Sequence, residues 1–150
     1  GANVAITASY QAHFDGFREL GASEEEALEA IKRSVKLAKE AAPPGGLVAG
    51  SMGCYGASLH NGAEYTGDYP GMDEDKLVAW HRPRAQALVE AGCDILACET
   101  VPCLVEARAL ARLLDELRHP AWVTFSCRSE TEVHSGERFA DCVAAVAACG

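Results

Sequence analysis

The sequence predicts an α/β fold built on a parallel sheet, and three observations carry that expectation. Short apolar runs alternate four times with segments whose apolar residues recur at helical spacing. Gly- and Pro-rich breaks separate them. Each apolar run ends in a polar tip: Ser9-Tyr10-Gln11, Gly53-Cys54-Tyr55, Glu99-Thr100 and Ser126. Right-handed crossovers bring all four tips to one end of the sheet, the arrangement a barrel active site requires. Four βα units are half of an eight-fold barrel, which typically needs about 250 residues; a small open sheet fits the same pattern.

The elements follow in order. Asn3 to Tyr10 reads as a strand, with Val4, Ile6 and Ala8 on one parity and Thr7 and Ser9 on the other. A helix begins at Ser23, where Glu26 three residues on completes a capping box. Leu28, Ile31, Val35 and Ala38 form its apolar stripe, and Pro43-Pro44-Gly45-Gly46 ends it. Leu47 to Ser51 is the second strand, running into Met52-Gly53-Cys54-Tyr55-Gly56. Ser58 to Gly71 is a long polar loop centred on Glu64-Tyr65-Thr66-Gly67-Asp68-Tyr69-Pro70, and loops of that length in compact domains are usually functional. A helix from about Asp73 to a C-terminal glycine, Gly92, contains Pro83, which should kink it or mark a late start. His81 on that helix reads as a packed or capping histidine, because no second ligand stands three or four residues away.

Ile95 to Leu104 is the stretch around which the rest is organised. An apolar run ends in Glu99, then Thr100 and a Val101-Pro102 turn, and a helix from Leu104 to Leu117 starts at once. A lone carboxylate is costly to bury, so Glu99 should be paired, hydrogen-bonded or waiting for a cationic ligand. Strand alternation places Ile95, Ala97 and Glu99 on the inner face, at the end where Ser9, Tyr55 and Ser126 gather, and Leu96, Cys98 and Thr100 toward the helices. Trp122 to Cys127 is the fourth strand, Arg128 to Arg138 a polar loop, and a last helical pattern runs from Phe139 to Gly150. No repeat or linker divides the chain, so a single domain is expected.

Composition narrows the function. The net charge of −9 argues against nucleic acid, whose phosphates need a basic surface. No stretch has the roughly 20 apolar residues of a membrane span. Seven cysteines without framework-like spacing point to free thiols in a reducing cytoplasm. Neither a CxxC nor an HxxxH pair occurs, so the metal signal within these residues is weak.

Five blocks together resemble the homocysteine S-methyltransferase family: Ile6-Thr7-Ala8-Ser9-Tyr10-Gln11-Ala12, Gly50-Ser51-Met52-Gly53-Cys54-Tyr55-Gly56-Ala57, Glu64-Tyr65-Thr66-Gly67-Asp68-Tyr69, His81-Arg82-Pro83-Arg84 and Ala97-Cys98-Glu99-Thr100-Val101-Pro102. They cover nearly the whole chain and fall in the family's order. The Glu64–Tyr69 block looks most like the branch using S-methylmethionine or S-adenosylmethionine, although Cys54 stands where that branch has a proline. The resemblance implies a (β/α)8 barrel, about half of it present. It also implies a zinc ion holding the homocysteine sulfur as thiolate, with three ligand cysteines in segments beyond Gly150, and a first strand preceding Gly1. None of the seven cysteines matches a ligand, and Cys98 and Cys127 read as core thiols. By the same resemblance Glu99 receives the homocysteine amino group, while Tyr55, Tyr65 and Tyr69 are candidates to face the sulfonium of the methyl donor. Two other readings are a non-catalytic half-barrel binding module and a different barrel enzyme. The second would want a lysine or second acid at a strand tip, and no tip carries one.

Overall fold

A computed structural model describes residues 1–147; the end of the last expected helix, with Cys149, lies outside them. Strands β1 (Val4–Ile6), β2 (Leu47–Gly53), β3 (Ile95–Val101) and β4 (Ala121–Phe125) form one sheet in the order 1-2-3-4, every pair parallel. Ser51 stands opposite Ala97, and Gly53 opposite Glu99. The order and direction are those the fourfold alternation predicts.

The helices cover one face. Ile31 and Val35 of α2 (Glu24–Ala41), Leu88 of α4 (Glu74–Glu90), Leu110 and Leu113 of α5 (Leu104–Leu117) and Cys142 of α6 (Phe139–Ala147) join one core with Val48, Met52, Leu96, Cys98 and Val101 of the sheet. The other face is barely covered at β1, where Ile6 is 52% exposed. The apolar parity of the first strand thus faces the concave side, and Ala5 packs against the core.

Local chemistry accounts for the boundaries. Ser23 and Glu26 form the capping box at α2, with Glu26 Oε2 accepting from Ser23 N at 2.8 Å. Asp73 caps α4 by accepting from Lys76 N at 2.9 Å, and Gly92 beyond its end is left-handed at φ +82°. Helix α4 is continuous through Pro83.

Several expectations need correction. The first strand is shorter than Asn3–Tyr10 because side chains replace its ladder: Thr7 Oγ1 accepts from Ser51 N (2.8 Å), and Ser9 Oγ donates to the Ser51 carbonyl (2.7 Å). A short helix α1 (Phe14–Glu19), capped by His13 Nδ1, fills what reads as loop, since six residues are too few for a visible apolar stripe. The long loop also holds α3 (Tyr55–Ser58) at its entry and a 3₁₀ turn at Ala63–Tyr65. Thr100 does not point to the helices. The β3–β4 register shifts between Cys98 and Val101, Thr100 is left-handed at φ +66°, and Val101 takes the buried place. Cys127 is not a core thiol: β4 ends at Phe125, and Cys127 is exposed, bridging to Val133 outside the sheet. Cys98 is fully buried.

Candidate functional site at the strand tips

The tips of β1, β2 and β3 are tied to one another by side chains. Ser51 Oγ donates to Glu99 Oε2 at 3.1 Å, which places the carboxylate on the concave face as alternation requires. Ser9, wholly buried, holds the Ser51 carbonyl and shares a 2.7 Å hydrogen bond with Thr7. One polar line therefore runs from Thr7 through Ser9 and Ser51 to Glu99.

Tyr10 closes this end. Gly53 N donates to the Tyr10 carbonyl at 3.0 Å, and a Cβ at Gly53 would fall 2.5 Å from that oxygen and 2.9 Å from the tyrosine ring, so only glycine fits beneath it. The Tyr10 hydroxyl lies near Thr100, next to Glu99; burial pushes its pKa up to about 12, so it stays a neutral phenol. The Thr100 amide donates to Thr124 Oγ1 at 3.1 Å, which fixes the bulge that turns this residue out of the alternation.

A second polar group lies behind the tips, between α4 and α5. Glu106, fully buried, accepts from Tyr55 N (2.6 Å) and the Tyr69 hydroxyl (2.8 Å), and its Oε1 lies 2.8 Å from His81 Nε2. Arg84, 1% exposed, donates to the Gly53 carbonyl (2.6 Å) and the Tyr10 carbonyl (3.1 Å), and its Nη2 lies 3.2 Å from His81 Nδ1. A guanidinium can only donate, so His81 Nδ1 accepts and Nε2 carries the hydrogen given to Glu106. Burial lowers the His81 pKa against the pull of Glu106, in keeping with this neutral tautomer. Burial also lowers the Arg84 pKa to about 10, which leaves the guanidinium charged at neutral pH.

The other expected residues are distributed around these two groups. The Tyr55 ring meets Tyr69 and Trp80 edge-on, each at 5.2 Å between centroids. Tyr69 is only 8% exposed; its hydroxyl is taken by Glu106 and by Gly56 N at 3.1 Å. Tyr65 is 58% exposed, edge-on to His134. Ser126 Oγ donates to the Glu64 carbonyl at 2.9 Å and so pins the long loop to the tip of β4. Ser9 and Glu99 thus belong to one bonded line, Tyr55 and Tyr69 to the Glu106 group, and Ser126 and Tyr65 to the loop.

Ser51, Thr7, Arg84 and Glu106 were not singled out by the sequence reading. A signal existed: Leu77, His81, Arg84 and Leu88 share one helical stripe, as do Glu106, Leu110 and Leu113. Polar residues on an otherwise buried stripe mark an internal network.

The thiols do not fit a zinc site. Burial raises the pKa of Cys98 to about 12 and of Cys54 to about 11, and raises that of Cys103 as well, whereas a metal-bound cysteine is a thiolate. Among the described residues no group of three His, Cys, Asp or Glu side chains is placed to hold a metal ion. Nor, among them, is any helix long and apolar enough to cross a membrane.

The family model described as homocysteine S-methyltransferase matches residues 1–150. The chain belongs to the homocysteine S-methyltransferase family. The homocysteine S-methyltransferase YbgG of Bacillus subtilis (strain 168) is 46% identical over 155 aligned positions, covering 95% of this chain and 49% of the relative. A Drosophila melanogaster betaine-homocysteine S-methyltransferase is 42% identical, covering 94% of this chain and 47% of its own length. The metallated form of the Escherichia coli homocysteine methyltransferase MmuM superposes with a TM-score of 0.92 at 43% identity, over 99% of this chain and 55% of that one. This member of the homocysteine S-methyltransferase family therefore spans about half the length of the relatives it matches. Its four consecutive parallel βα units are about half of a (β/α)8-type barrel, as expected from the sequence.

Proposed function

We propose that these residues form the amino-acid-binding half of an enzyme that moves a methyl group from a sulfonium donor, S-methylmethionine or S-adenosylmethionine, to the sulfur of homocysteine. The observation that carries the reading is Glu99. It is the acid at the C-terminal tip of an inner strand, on the concave face, with Ser51 orienting one carboxylate oxygen. A fixed carboxylate there suits the ammonium of homocysteine; it holds and orients that substrate, and the chemistry takes place at the sulfur. Ser9 supports the same line through Ser51.

The rings of Tyr55 and Tyr65 supply faces that favour a sulfonium cation, with Tyr69 backing Tyr55 and Ser126 holding their loop. One relative named above is a betaine-homocysteine S-methyltransferase, so family membership leaves the donor open; the Glu64–Tyr69 block favours the sulfonium. The zinc that the family resemblance implies would find its ligands outside these 150 residues. The 150-residue chain alone is then inactive, its partners are small molecules, and six free thiols among the described residues suit a reducing cytoplasm.

The test is Glu99→Gln in a full-length methyltransferase carrying this segment. The change keeps shape and removes the charge that meets the ammonium. A hydrogen bond to a charged group is worth about 1.5–3 kcal/mol, so homocysteine affinity falls roughly ten- to a hundred-fold. Zinc content stays as in the parent. Unchanged affinity, or zinc lost with the fold intact, would give Glu99 a different role.

A further inference from the structure

We infer that Arg84 and Glu106, bridged by neutral His81, are positioning residues that set the tips of β1 and β2 and thereby hold Tyr10 and Tyr55 in place. This rests on the methyl-transfer reading for its kinetic arm only. The geometry is specific about what the two charges hold. Arg84 grips the Tyr10 and Gly53 carbonyls with separate nitrogens. Glu106 takes the Tyr55 amide directly and reaches the Gly56 amide through the Tyr69 hydroxyl. Four tip residues, on two segments far apart in sequence, hang by their backbones from one buried pair.

Stability gives no reason to keep such a pair. Taking both charges out of water cancels much of their attraction, and well-packed apolar residues of similar volume are often equal or better. Apolar side chains could not hold carbonyl and amide groups in register. The histidine completes the arrangement: accepting from a cation on one side and donating to an anion on the other, it links the charges across the α4–α5 interface while staying uncharged itself. Trp80 covers the cation, with the Arg84 guanidinium carbon 4.9 Å from its ring centroid, and stands perpendicular to the Tyr55 ring at 5.2 Å. The consequence lies at the site. Arg84 fixes the backbone beneath the Tyr10 ring, whose hydroxyl meets Thr100 beside Glu99. Glu106 fixes the start of α3, which carries Tyr55.

The experiment uses full-length, zinc-loaded enzyme with Glu106→Gln and, as a milder change, Tyr69→Phe. Steady-state constants for homocysteine and for the sulfonium donor are measured per folded molecule, and amide exchange is followed at Tyr55, Gly56 and, as a control, Leu96 to Cys98. Positioning requires KM for at least one substrate to rise tenfold or more, and exchange at Tyr55 and Gly56 to quicken at least tenfold with the β3 control unchanged. A lower Tm with KM and local exchange both unchanged would reduce the network to a structural role and overturn the inference. Should Glu106→Gln not fold, Tyr69→Phe decides by the same two readouts, since it removes a single hydroxyl. Parent enzyme without methyl transfer to homocysteine would defeat the proposed function, and the exchange data would still decide this one.

Discussion

Thr100 and Cys127 are residues whose neighbours in sequence say one thing and whose backbone says another. Alternation turns Thr100 toward the helices, but the bulge after Cys98 rotates it away and lets Val101 fill the core. Nothing in the run Cys98-Glu99-Thr100-Val101 marks that bulge, and a β-branched residue is a poor candidate for φ +66°. Such strain persists where surroundings over-determine it; here the Thr124 hydroxyl, accepting from the Thr100 amide, does so. Cys127 misleads for a simpler reason: the strand stops two residues before it, so parity no longer applies. Its exposure has a measurable result. Among the described cysteines the other five are buried, and burial raises the pKa of Cys54, Cys93, Cys98, Cys103 and Cys142. Limiting iodoacetamide on the folded chain should alkylate Cys127 before any of these five, as read by peptide mass mapping. Earlier labelling of Cys54 or Cys98 would contradict the packing of the tips.

Most of the individual elements were legible in the sequence, because each carries its own punctuation. The capping box of α2, the Asp73 cap and Gly92 stop of α4, and the abrupt start of α5 after Pro102 all act locally. What stayed hidden were contacts between elements, since a serine that replaces a ladder bond or an arginine that reaches a distant carbonyl leaves no local trace. Glu106 and His81 sit between these cases: their stripes betray burial, while their partners come from a neighbouring helix and loop. The α4–α5 interface they form should respond to pH. His81 has a lowered pKa when folded, so below about 6.5, the ordinary value, the unfolded chain binds more protons than the folded one. Stability is therefore fully present above that pH and declines as pH falls through it, at up to about 1.4 kcal/mol per pH unit for one proton. His13, also lowered by burial, acts in the same direction. Denaturant unfolding between pH 5.5 and 7.5 should show this slope, and His81→Gln should remove about one proton from it. A slope unaltered by the substitution would mean that His81 is not the group responsible.

At the scale of the molecule, the alternation of strand and helix was enough for direction, order and the side on which helices lie, because a parallel sheet with right-handed crossovers leaves few other solutions. Four units alone leave open whether the sheet curves into a barrel; the resemblance carried by the five sequence blocks supplies that expectation, and the superposition on the E. coli enzyme agrees with it. The concave face explains the ambiguity: its residues read as an ordinary apolar parity, with Val4, Ile6 and Leu47 all exposed, so nothing in them distinguishes an open sheet from a partial cylinder. The strand order has a consequence of another kind. Among the described residues β1 and β4 each have a neighbour on one side only, and the outer side of each is a row of backbone donors and acceptors open to strand addition. Beside β1 that row adjoins uncovered apolar side chains. Produced on its own, the chain should self-associate, its apparent mass by light scattering rising with concentration, and lysine at Ile6 should suppress the rise by placing a charge on the sticky margin. A strictly monomeric chain at high concentration would mean that these two margins are shielded.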